Sequence, residues 1–134
     1  MIKRKVSVIL FIDPNGNILL QDRKSMSQHG EEYGFFGGKI EDGENPDQAL
    51  VREIKEELGI KLTNFKFFKH HQKIIEEKNM DLEWFLYTAP MPGLNKINVQ
   101  EGKTALMKFE DSFSLKMFPG EVELLKEIYD SVRK

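Results

Sequence analysis

The apolar positions of this chain change period along its length, and those changes divide it into strands and helices. Val6 to Ile12 is a nearly continuous apolar run, Asn17 to Gln21 a shorter one, and Asp13-Pro-Asn-Gly16 between them reads as a turn. The two runs predict a hairpin or adjacent strands. Between Pro46 and Leu58 the spacing becomes helical: Leu50, Val51, Ile54 and Leu58 share one face at roughly 100° per residue. Asn45 is a natural N-cap, Pro46 fits the first helical position, and Gln48 completes a capping-box pattern. Gly59 supplies a left-handed stop, so the spacing predicts a helix over about Pro46 to Leu58. Strand-like runs return at Phe65 to Ile75 and Leu82 to Ala89, joined as an antiparallel hairpin by Glu76-Glu-Lys-Asn79. A further strand covers Ala105 to Phe109. Pro119-Gly-Glu121 opens a last helix with a buried stripe of Val122, Leu125, Ile128 and Val132. The order is β-β-loop-β-α-β-β-β-α, with no internal repeat and no low-complexity tract.

The polar side of the first helix adds chemistry to this outline. Glu53, Glu56 and Glu57 fall within an arc about 100° wide, next to the apolar face. Two carboxylates about 5 Å apart at an effective dielectric near 20 repel by roughly 3 kcal/mol, so three beside a packed surface demand compensation. One reading is a solvated Glu- and Lys-rich face, where an i,i+4 Glu pair costs only a few tenths of a kcal/mol. The other is a site for a hard divalent cation, Mg²⁺ or Mn²⁺ first.

The residues around the helix favour the second reading. Gly38, Glu44 and the segment Arg52-Glu53-Ile54-Lys55-Glu56-Glu57-Leu58-Gly59-Ile60 form one spaced pattern. With average composition, its nine specified positions match by chance on the order of once in 10⁹ windows. The pattern is a complete Nudix box, and the chain resembles the Nudix hydrolases, which cleave nucleoside diphosphates linked to another moiety. The resemblance implies a single α/β domain over residues 1–134, an α/β/α sandwich around a mixed sheet with a catalytic loop-helix-loop. It also implies a metal set of Glu53, Glu56, Glu57 and the Gly38 backbone, with Arg52 orienting a box glutamate and Glu44 bracing the loop. In MutT-type relatives a glutamate beside a glycine on a later loop also reaches the metal, and Glu101 beside Gly102 matches it. Glu53 or Glu101 would then take the proton of the attacking water.

The substrate side rests on the same resemblance. Arg23 matches an arginine that touches phosphate, and Lys39 is a second phosphate candidate; each is otherwise a surface cation. In Tyr33-Gly-Phe-Phe-Gly-Gly-Lys39, Phe35 is a candidate for the substrate pocket. Phe36 stands where most relatives carry proline, a departure expected at the pocket mouth. Phe118 would stack on a base and Glu121 would meet its Watson–Crick edge, as in oxidised-purine triphosphatases. Gly34 occupies the place where those enzymes use an asparagine. The bland alternative is an aromatic staple and a first-turn acid favoured by the helix dipole. His70 and His71 face opposite sides of a strand, which argues against a joint metal pair. Trp84, Phe85 and Tyr87 read as core and pocket wall. The polar loop from Lys24 to Glu32 reads as a lid or a plain connection.

Composition narrows the partners. At 134 residues with net charge −2 and a pI near 6.0, the chain lacks a nucleic-acid-coating surface. Its expected partner is a small nucleotide rather than a polymer or a membrane, and it would act as a monomer or homodimer. The absence of cysteine excludes disulfides, zinc-thiolate sites and thiol nucleophiles, and suits the cytoplasm. The start, Met1-Ile-Lys-Arg-Lys, mimics a signal n-region but runs into a turn without a small-residue cleavage site, so a strand is expected there. The leading substrate is a nucleoside triphosphate, including an oxidised one such as 8-oxo-dGTP, cleaved to monophosphate and pyrophosphate. Alternatives are an ADP-ribose, sugar-nucleotide or dinucleoside polyphosphate hydrolase, or a nucleotide-binding module without turnover.

Overall fold

A mixed sheet forms the middle of the molecule, with one helix on each face. The computed structural model describes residues 1–133. Its strands are β1 (Ile2–Ile12), β2 (Asn17–Asp22), β3 (Tyr33–Gly34), β4 (Phe36–Lys39), β5 (Lys66–Ile75), β6 (Met80–Pro90) and β7 (Lys103–Lys108). The helices are α1 (Pro46–Leu58) and α2 (Glu121–Val132). β1 pairs along its whole length with β6 in parallel, Ile2 opposite Met80 through Ile12 opposite Pro90. Every other pairing between these strands is antiparallel. Along its other edge β1 pairs with β2 only at Phe11 and Ile12, then with β4 from Val6 to Ile9.

Side chains alternate along the strands, with one register shift in β5 between Phe67 and Lys69, and this decides which helix each residue meets. Val6, Val8, Leu10, Ile18, Leu20, Leu82, Trp84 and Leu86 join α2 in one core. Ile9, Phe11, Leu19, Phe36 and Tyr87 join Leu50, Ile54 and Leu58 of α1 in the other. Near-continuous apolar strands are required because both faces are covered. His70 stacks on Phe85 while His71 lies against Trp84, the opposite-face placement that alternation predicts.

α1 starts and stops where its local chemistry says. The Asn45 side-chain Oδ1 accepts from the Gln48 N–H at 2.8 Å, and the Gln48 side-chain Oε1 accepts from the Asn45 N–H at 2.9 Å. Gly59 sits at φ 69°, closing the helix in the left-handed region. α2 departs from expectation. Its buried residues are Glu121, Leu124, Leu125 and Ile128, whereas Val132 is 51% exposed. The stripe is turned toward Leu124 because Glu121 is drawn inward to the Trp84 indole.

Phe36 also corrects its expectation. It is fully buried under α1 against Phe11, with ring centroids 6.4 Å apart, so replacing proline there does not alter the pocket mouth. Phe35, one residue earlier, points to the opposite face. Next to them, Gly37 is at φ 131°, and a Cβ would lie 2.1 Å from the Ser7 carbonyl oxygen. β4 can reach β1 here only through glycine. Gly37→Ala is expected to cost about 2–4 kcal/mol from backbone strain and displacement of β4, read as a lower midpoint in chemical denaturation. A midpoint equal to wild type would show that β4 is not held this tightly.

Candidate active site

α1 carries its acids toward the loop that precedes it, and Arg52 gathers them. Arg52 donates through Nε and Nη2 to the two oxygens of Glu44 at 2.7 and 2.9 Å, a bidentate pair. Nη2 also donates to the Lys39 carbonyl at 2.9 Å. Nη1 reaches Glu53 at 2.9 Å, Glu56 at 3.2 Å and Glu41 at 3.2 Å. Surrounded by carboxylates, Arg52 has its pKa raised, first by the hydrogen bond with Glu44. Glu44 is lowered by Arg52 and by the Glu41 N–H. Glu44 and Arg52 thus clamp the loop onto the helix.

Glu57 lies deeper than its neighbours, at 4% exposure. Burial pushes its pKa up to about 8, reinforced by Glu53 and Glu101 and opposed by the Gly37 N–H, which donates to it at 2.7 Å. Glu53 is raised by burial, relieved in part by Arg52 and then raised again by Glu56 and Glu101. Gly38 makes this crowding possible, since a Cβ there would sit 2.6 Å from the Glu53 carboxylate. Glu101 arrives from far along the chain through the end of α1. The Asn98 and Gln100 N–H groups donate to the Leu58 and Glu57 carbonyls at 2.8 Å each, satisfying helix-end acceptors. Gly102 then turns the chain at φ 66° into β7.

A cleft opens on the other side of β3 and β4. Phe35, Phe118, Met80 and Val8 give it apolar walls, while Arg23, Glu31 and Glu121 supply polar groups. Glu121 accepts from the Trp84 indole N–H at 3.0 Å, and burial raises its pKa to about 7. Arg23 donates to Gln21 Oε1 at 2.6 Å and to Glu31 Oε1 at 3.4 Å. Gly34 leaves the room these groups occupy, for a Cβ would stand 3.0 Å from the Arg23 side chain. His29 meets the Phe118 ring edge-on at 5.6 Å, so the loop after β2 forms part of the wall. Lys39 does not line this cleft; its side chain is exposed and its carbonyl serves Arg52.

This fold has known counterparts. A family model described as the NUDIX domain matches residues 1–128. The chain belongs to the Nudix hydrolase family. Its members of known activity in the comparison are hydrolases acting on acid anhydrides. An 8-oxo-dGTP diphosphatase from Proteus vulgaris is 33% identical over 66% of this chain and 80% of its own length. A CTP pyrophosphohydrolase from Escherichia coli (strain K12) is 39% identical over 56% of each chain, so the match spans little more than half of that relative. In three dimensions the MutT protein from Methanosarcina mazei Go1 superposes with a TM-score of 0.82 over 99% of this chain and 97% of its own, at 13% identity, a likeness of fold.

The donor set of this Nudix site suits a divalent metal, because Glu53, Glu56, Glu57 and Glu101 offer only hard carboxylate oxygen. Among the described residues, no group of three or more acidic or histidine side chains is already gathered for an ion. Arg52 draws Glu53 and Glu56 to itself, while the Gly37 N–H engages Glu57. The raised pKa of Glu57 marks a carboxylate group whose charge lacks compensation, which is the need a cation meets.

Sequence reasoning passed over Gln21 and Glu31. Gln21 had a signal, an amide closing an apolar strand, and it is wholly buried. Glu31 sits in an irregular loop and had none. The Glu121 carboxyl provides a test. Its folded pKa, about 7, exceeds the ordinary glutamate value of 4.5, so the folded state binds more protons between these values and loses stability as pH rises through that window. Glu121→Gln keeps an acceptor for Trp84 and removes the titration. Its stability relative to wild type should increase from pH 4.5 to pH 8, by at most on the order of 3 kcal/mol, in urea melts across that range. A pH-independent difference would sink this assignment.

Proposed function

We propose that this Nudix protein hydrolyses a nucleoside triphosphate, with oxidised purines such as 8-oxo-dGTP among its substrates, to the monophosphate and pyrophosphate. One observation carries the reading. The cleft lined by Phe118, Phe35 and Glu121 also takes in Gly37 and Gly38, whose far sides abut the Glu57 and Glu53 carboxylates. Gly34 to Gly38 spans about 13 Å of extended chain, comparable to the separation between a base and its phosphates. The Proteus vulgaris and Escherichia coli relatives, named for 8-oxo-dGTP and CTP, support a triphosphate over ADP-ribose.

In this reading Phe118 and Phe35 hold the base by its faces, and Glu121 meets its polar edge. Arg23 lies between base and phosphates, and Lys39 offers an exposed charge outside the cleft. Mg²⁺, or Mn²⁺ as a substitute, held by Glu53, Glu56, Glu57 and Glu101 beside the Gly38 backbone, would neutralise phosphate charge and lower the pKa of a bound water. A water oxygen forms a bond to phosphorus as the anhydride P–O bond breaks, and pyrophosphate departs. Glu53 or Glu101 takes the water's proton. Arg52 keeps Glu53 in a fixed orientation for that transfer.

A panel of 8-oxo-dGTP, dGTP, CTP and ADP-ribose with Mg²⁺, products resolved by chromatography, tests the substrate class. Monophosphate plus pyrophosphate from one of the triphosphates is expected; AMP plus ribose phosphate as the main product would overturn it. For the acid site, Glu57→Gln should lower turnover by several orders of magnitude with the thermal midpoint near or above wild type, because it removes a buried, strained carboxyl. Retained turnover would remove Glu57 from the site.

A further inference from the structure

We infer that Gln21 is a positioning residue that joins the substrate cleft to the acidic site, fixing the Glu101 loop and the Glu57 carboxylate through one buried carboxamide. The inference rests on the hydrolytic reading above but concerns a residue outside the Nudix box. Gln21 is the penultimate residue of β2, is fully buried, and is paired on both sides, with Gly34 of β3 and Thr104 of β7. Its side chain therefore has no freedom to seek water.

The orientation of the amide is dictated by its partners. Arg23 carries only donors, and its Nη1 lies 2.6 Å from Gln21 Oε1. The nitrogen must then face the other way, where it donates to the Glu101 carbonyl at 3.1 Å and approaches Glu57 Oε2 at 3.5 Å. Glu57 is thus engaged on both oxygens, by the Gly37 N–H and by Gln21. The Glu101 carbonyl is the point where the loop turns into β7, immediately before Gly102. Asn98 and Gln100 fasten the earlier part of this loop to α1, and Gln21 fastens the residue that carries the acid. An amide is the side chain that meets both demands, with an acceptor toward Arg23 and a donor toward two oxygens. A carboxylate satisfies the first and repels at the second; a thioether satisfies neither.

Gln21→Met and Gln21→Glu separate these functions. Residues supporting metal ligands typically contribute about 10–100-fold to metal affinity or activity, so losses of that size are expected in both variants. Mn²⁺ binding to the nucleotide-free protein, followed by the EPR signal of free Mn²⁺, should weaken by that factor. With 8-oxo-dGTP and saturating Mg²⁺, kcat should fall further than KM rises. Gln21→Glu should be at least as impaired as Gln21→Met, although it keeps the acceptor for Arg23. Wild-type Mn²⁺ affinity and kcat in Gln21→Glu would overturn the inference, as would a Gln21→Met variant changed only in its melting temperature. If wild type binds Mn²⁺ yet cleaves no nucleotide of the panel, the substrate reading fails while the Mn²⁺ comparison still decides the role of Gln21. If wild type binds no Mn²⁺, the metal reading and this inference fall together.

Discussion

A buried Glu57 and a half-buried Glu53 repel each other and the exposed Glu101 nearby, and much of the local structure answers that repulsion. The cost is visible in Glu57, whose pKa is raised to about 8 by burial and then by its two acidic neighbours. Opposing charge comes from two guanidiniums, Arg23 toward Glu57 and Arg52 toward Glu53 and Glu56. Arg52 has five N–H donors in a fixed fork, and Glu44, Glu53, Glu56, Glu41 and the Lys39 carbonyl surround it. Lysine at that position would bring the charge without the geometry. The arrangement holds Glu53 and Glu56 close to α1 and leaves Glu57 with only main-chain and amide donors. The Glu57 charge is thus only partly compensated within the protein, and hard carboxylate oxygens of this kind suit a divalent cation.

The sheet explains why these acids lie just behind the wall of a cleft. β4 occupies the edge of β1 that β2 abandons after Phe11 and Ile12, so the Gly37–Gly38 segment is pressed against β1 on one side and α1 on the other. Glycine at both positions removes the atoms that would separate strand from helix. One side of this thin wall meets Glu53 and Glu57, and the cleft opens on the other. Glycine adopts φ 131° without the penalty a side chain would meet, which lets β4 lie this close to β1 between the two cores.

The cleft has its own electrostatic balance. Arg23 lies between Gln21 and Glu31 and near Glu121, so its charge is largely spent inside the protein. Glu121, pushed up to about 7, offers an oxygen that changes between donor and acceptor close to neutral pH. Groups of this kind suit recognition of a base edge better than capture of a bare phosphate. Arg23 lines the same cleft as Glu121, its guanidinium held between Gln21 and Glu31.

Local rules determined the parts of this protein that depend on neighbours in sequence. The limits of α1 followed from Asn45, Pro46, Gln48 and Gly59, because a capping box and a left-handed stop act within a few residues. The acidic flank followed from helical spacing, while the sandwich around a mixed sheet followed from the Nudix resemblance. Tertiary structure decided what depends on distant partners. It turned α2 so that Glu121 meets Trp84 and Val132 meets solvent; it buried Phe36 under α1 while Phe35 faces the cleft. It brought Gln21, Glu57 and Glu101 within hydrogen-bond reach across 80 positions of sequence. No periodicity encodes that meeting, since it exists only once β2, α1 and the loop before β7 have packed around a common point.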